Sequence, residues 1–101
     1  MSETDLQASV VDLAQRLGYL TFHDYDSRKN TRGFPDLVMA HPRSGALIMA
    51  ELKSAGGKVT PEQDQWLRAL GLRAAVFVWR PAHWHDGSIH AALSRYARTI
   101  G

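Results

Sequence analysis

A chain of 101 residues, 45% hydrophobic and 22% charged, has the material for one compact domain with a modest core and no room for a second. Its formal charge of +2 and pI near 9.3 permit a polyanionic partner without requiring one. The absence of cysteine excludes disulfides, thiolate zinc sites and cysteine nucleophiles, so a bound metal has to rest on oxygen or imidazole. No apolar run approaches the roughly 20 residues of a bilayer span, and the polar residues 1–6 are not a secretion segment, so the protein reads as soluble, intracellular and cytoplasmic.

Leu6, Val10, Leu13, Ala14 and Leu17 recur at helical spacing before Gly18, which predicts a first amphipathic helix over residues 6–17. Thr4-Asp5-Leu6-Gln7 reads as its capping box. Residues 19–25, rich in aromatic and β-branched side chains, predict a strand, and residues 26–33, with Ser27, Asn30 and Gly33, an exposed loop. After Pro35 the runs 36–40 and 46–53 flank the turn His41-Pro42-Arg43-Ser44-Gly45, the pattern of an antiparallel hairpin. Ser54-Ala55-Gly56-Gly57-Lys58 is a flexible connection to Thr60-Pro61, an N-cap with proline at the first helical position, from which a helix runs to about Leu70 and stops at Gly71. Residues 74–79 form an almost continuous apolar run, expected to be a strand buried on both faces and ended by Pro81. Ile89, Ala92, Leu93 and Tyr96 predict a last helix packed on the sheet. The expected fold is α/β with a mixed sheet, in the order α-β-β-β-α-β-α, as a single domain over residues 1–101.

The chemistry gathers in Gly33-Phe34-Pro35-Asp36 and Glu51-Leu52-Lys53. Strand side chains alternate faces, so Glu51 and Lys53 project together with Leu52 opposite. A regular hairpin pairs the start of its first strand with the end of its second, which sets Asp36 beside them. Two adjacent ionised carboxylates repel unless a cation or a proton lies between them. A hard divalent ion such as Mg²⁺ suits that position, since it takes oxygen ligands, commonly one or two carboxylates plus substrate phosphate oxygens. Lys53 is placed to orient or deprotonate a water and to offset charge developing on a phosphate.

These residues resemble the PD-(D/E)xK nucleases, and within them the VRR-Nuc group, whose pattern reads G-x-P-D, then E-x-K, then a glutamine opening the next helix, here Gln63 in Thr60-Pro61-Glu62-Gln63. The resemblance runs from the first helix to Val78-Trp79-Arg80-Pro81. It implies a restriction-endonuclease-like core with a mixed sheet flanked by helices, Mg²⁺ or Mn²⁺ dependence, and DNA hydrolysis. It implies Asp36 and Glu51 as metal ligands with the Leu52 carbonyl as a further one, Lys53 as the catalytic lysine, and Gln63 as a supporting site residue. The family also carries an acidic residue in the first helix; Glu3, at the edge of the apolar face near Leu6 and Val10, fits best, and Gln7 lies on the same edge. Stand-alone members of this size look like phage or bacterial proteins, some of them similar to homodimeric resolvases of four-way (Holliday) junctions.

Several of these positions also have plain structural readings. Gln63 completes a capping box with Thr60, and Glu3 falls outside the first helix if Thr4 is its N-cap. Arg28, Lys29 and Arg32 in the loop before Asp36, with Lys58 from the other connection, are either solvated surface or contacts to the DNA backbone. His83, His85 and His90 lack a complete metal-ligand pattern and read as surface or partly packed side chains, while His23 is a candidate for the edge of the site. Trp66, Trp79 and Trp84 read as core or interface anchors. The rival functions are a non-catalytic DNA-binding or assembly module and a nuclease acting on flaps, single strands or duplex ends.

Overall fold

Four strands form one mixed sheet flanked by helices. The computed structural model describes residues 1–23 and 32–98. The elements are α1 (Glu3–Arg16), β1 (Leu20–His23), β2 (Leu37–Ala40), β3 (Leu47–Leu52), α2 (Pro61–Leu70), β4 (Ala75–Trp79), α3 (Pro81–His85) and α4 (Ser88–Arg98). In the order β1-β2-β3-β4, β2 runs antiparallel to both β1 and β3, and β4 lies parallel to β3 after the crossover through α2.

Sequence periodicity becomes burial on the face covered by α1 and α4. Leu6, Val10 and Ala14 of α1 and Ile89 and Leu93 of α4 are fully buried against Leu37, Met39, Ile48, Ala50 and Leu52. The Tyr19 hydroxyl donates to the Leu93 carbonyl at 2.7 Å and ties the start of the sheet to the last helix. Helix α1 ends as predicted, with Gly18 left-handed at φ 96° and the Tyr19 amide returning to the Ala14 carbonyl. Gly71 is the C-cap of α2, in a right-handed conformation. Among the described residues no helix is long and apolar enough to cross a membrane.

Four expectations need correction. Helix α1 starts earlier, because Ser2 rather than Thr4 is the N-cap: its hydroxyl accepts from the Asp5 amide while the Asp5 carboxylate accepts from the Ser2 amide. Strand β1 begins at Leu20 rather than Tyr19, and Asp24 and Tyr25 of the expected strand lie outside the described residues. Strand β4 is half-buried until Trp79, since among the described residues it is an edge strand paired only with β3. Pro81 ends β4 but also opens α3, so the order is α-β-β-β-α-β-α-α; the His83 ring closes this helix start by accepting the Arg80 amide at 2.9 Å.

Candidate active site

The hairpin register builds the site. Leu37 pairs with Ala50 and Ala40 with Leu47, so one step outward Asp36 stands opposite Glu51 on the sheet face away from α1. Asp36 is held there by its Oδ2, which accepts the Leu52 amide at 2.8 Å. Lys53, 15% exposed, brings Nζ to 4.0 Å from Glu51 Oε2. Glu51 itself is 2% exposed, and its Oε1 is buried without a hydrogen-bond partner among the described residues.

That environment favours the uncharged carboxyl. Burial, then the hydrogen bond and like charge of Asp36, push the pKa of Glu51 from 4.5 to about 8, against the opposing pull of the Lys53 ammonium. A buried carboxylate oxygen with nothing to bind, beside a second carboxylate, is an arrangement that a hard cation satisfies and that packing alone does not explain.

The surrounding loops are fixed by close packing. Gly33 has φ 89°, and a Cβ there would lie 2.6 Å from the Glu62 carbonyl carbon, so the approach to Asp36 rests directly on the first turn of α2. Phe34 reinforces this contact edge-on against Trp66 with ring centroids 5.1 Å apart. On the other side the Lys53 amide donates to the Trp79 carbonyl at 3.0 Å. Arg80 Nη1 donates to the carbonyls of Ser54 at 2.7 Å and Gly57 at 2.6 Å, spanning the loop that follows Lys53. Sequence reasoning missed Arg80, because a single cation after an apolar strand looks like solvated rim.

The structure brings together Asp36, Glu51, Leu52 and Lys53 but not every other candidate. Gln63 performs its capping role, accepting the Thr60 amide on Oε1 at 2.9 Å while its own amide donates to Thr60 Oγ1 at 3.2 Å. Glu3 is exposed at the first position of α1, and no third Asp, Glu or His joins the carboxylate pair among the described residues. Gln7 instead meets His23, with Nε2 at 3.0 Å from the ring Nδ1, at the end of β1 next to Leu37. Arg32 and Lys58 are exposed on the two loops flanking the site, and Arg28 and Lys29 lie outside the described residues. His85 and His90 are exposed, Trp79 is buried, and Trp84 packs against the core.

The VRR-NUC domain model matches residues 3–79. Among solved structures, the chain is similar to Hjc from Archaeoglobus fulgidus, a Holliday junction resolvase from an archaeal hyperthermophile, at 20% identity with a TM-score of 0.50. That alignment covers 78% of this chain and 65% of the resolvase chain, and the likeness is one of fold. None of the curated proteins compared matches. Since the family match takes in every element from α1 to β4, and with them both carboxylates and the lysine, the chain belongs to the VRR-NUC domain family, a nuclease family, and its sheet is of the restriction-endonuclease-like kind.

Proposed function

We propose that the protein is a divalent-cation-dependent DNA endonuclease that hydrolyses phosphodiester bonds at Asp36, Glu51 and Lys53. The observation that carries this reading is the buried, unpartnered Oε1 of Glu51 beside Asp36, an oxygen pair with the chemistry to hold Mg²⁺ or Mn²⁺. Asp36 and Glu51 would hold the cation, with the Leu52 carbonyl as a further oxygen donor, and an ion held there would supply Lewis-acid polarisation of a phosphate oxygen. Lys53 orients the attacking water and offsets negative charge as the water oxygen bonds to phosphorus and one ester oxygen leaves. Arg32 and Lys58, with Arg28 and Lys29 of the same basic segment, contact the DNA backbone on either side, and Gln63 and Glu3 stay candidates for a supporting part in the reaction.

The proposed working form is a homodimer acting on branched DNA such as a four-way junction. Leu20 and Phe22 support it: they are 65% and 62% exposed on the edge strand β1, on the same sheet face as Asp36 and Glu51. A large apolar surface on an edge strand is the usual mark of an interface, and two-fold pairing supplies the two sites that junction cutting needs.

The test is cleavage of labelled four-way junction, flap, single-stranded and duplex DNA in Mg²⁺ or Mn²⁺, by wild type, Asp36→Ala and Lys53→Ala, with chelator controls. Expected is cutting, best on the junction, that chelator abolishes and that each substitution lowers by at least about a hundredfold. Binding without cutting of any substrate would replace this reading with a non-catalytic DNA-binding module. A preference for flaps, single strands or duplex ends would keep the nuclease and change its substrate.

A further inference from the structure

We propose that Arg80 is a positioning residue for Lys53, acting through the turn that follows it; this rests on the nuclease reading above. Strand pairing secures Lys53 only at its main chain, through the 3.0 Å bond from its amide to the Trp79 carbonyl. Its side chain is a flexible four-carbon stem carrying a point charge, and the sheet does nothing to fix where that charge sits. Immediately beyond, β3 has ended, and residues 54–57 form a turn whose internal bond, from the Gly57 amide to the Ser54 carbonyl, is 3.2 Å long.

Arg80 closes this turn from outside. One nitrogen, Nη1, donates to the carbonyls at both of its ends, Ser54 and Gly57, at 2.7 and 2.6 Å, which are short charge-assisted bonds. The closed turn folds back over the lysine: a Cβ built on Gly57 would touch Lys53 Cδ at 3.5 Å and crowd Ser54 Oγ at 3.0 Å. Arg80 has a firm base for this task. It directly follows Trp79, which is 3% exposed, and its own amide is capped by His83 at 2.9 Å. The stem of Lys53 is therefore confined between the turn and Glu51, whose Oε2 lies 4.0 Å from Nζ. Small displacements matter here, because about an ångström of misplacement in a catalytic group costs on the order of a hundredfold in rate.

The experiment compares wild type, Arg80→Ala, Arg80→Lys, Lys53→Ala and the Lys53→Ala/Arg80→Ala double variant in single-turnover cleavage with excess enzyme. In parallel, mass spectrometry follows reductive methylation of Lys53 in wild type and both Arg80 variants. Expected for Arg80→Ala are a rate about ten- to a hundredfold lower at unchanged DNA affinity, no further loss in the Lys53→Ala background, and faster methylation of Lys53. Arg80→Lys, which keeps a charged donor of shorter reach, recovers part of both; if Arg80→Ala does not fold, this variant carries the test with a smaller loss. Equal losses with and without Lys53, unchanged methylation, or weakened DNA binding at an unchanged rate would each overturn the proposal. Absence of cleavage by wild type would sink the nuclease reading, while the methylation rates would still decide whether Arg80 restrains Lys53.

Discussion

Glu51 couples the stability of this protein to pH in a direction opposite to that of an ordinary surface carboxylate. In the unfolded chain it titrates near 4.5, and in the folded, cation-free protein near 8. Between those values the folded state keeps a proton that the unfolded state releases, so stabilisation present below about pH 4.5 is lost as the pH rises through about 8. The melting temperature of chelator-treated wild type should fall between pH 5 and 9 relative to Glu51→Gln, whose side chain cannot ionise. Added Mg²⁺ should raise the wild-type value, and more at pH 9 than at pH 6, because the ion must displace that proton. Parallel wild-type and variant curves would dismiss the buried acid as the cause. At the same scale, Gln63 can be separated from its cap. Gln63→Glu preserves the reciprocal bonds with Thr60 and should keep stability, whereas Gln63→Ala should cost roughly 1 kcal/mol. Slower cleavage by a fully stable Gln63→Glu protein would assign the side chain a part in the reaction, and unchanged cleavage would leave it a cap.

Among the elements, the loop before β2 is the tightest joint. Gly33 combines a left-handed backbone with Glu62 backbone atoms closer than any Cβ tolerates. Gly33→Ala should therefore destabilise by about 1–3 kcal/mol in urea unfolding and, by pushing Phe34 and Asp36 away from α2, weaken cation affinity as well. An alanine variant of wild-type stability would mean that the joint yields easily. The same elements show what a sequence makes legible. The pairing of Asp36 with Glu51 could be read in advance because it needs only strand alternation and a compact turn at residues 41–45, both local properties. The exposure of β4 could not, since an apolar run says nothing about how many strands flank it. Helix α3 escaped because five residues carry too little periodicity, and its start depends on a ring nitrogen of His83 acting as a cap. Arg80 escaped for a third reason: its partners are main-chain carbonyls 26 and 23 positions away, which no motif encodes. The carboxylates and lysine were legible as a motif, whereas the place of Glu3 depended on which residue capped α1.

For the whole molecule, the exposed face of β1 sets the proposed assembly. Phe22→Glu puts a charge on the apolar strip formed by Leu20, Phe22 and Leu47 without touching the core side of the sheet. Sedimentation should then show half the wild-type mass, and four-way junctions should be nicked singly rather than cut in pairs. A variant that still sediments as a dimer would move the interface elsewhere. The family pattern stops at Trp79, yet the folding unit extends beyond it. Leu37, Met39, Ile48 and Leu52 are sealed by Ile89 and Leu93, and the phenol of Tyr19 has its acceptor on α4. The segment that carries the chemistry is thus shorter than the segment that buries its core. Grafting this site into another scaffold means transplanting α4 as well, although no residue of that helix belongs to the motif.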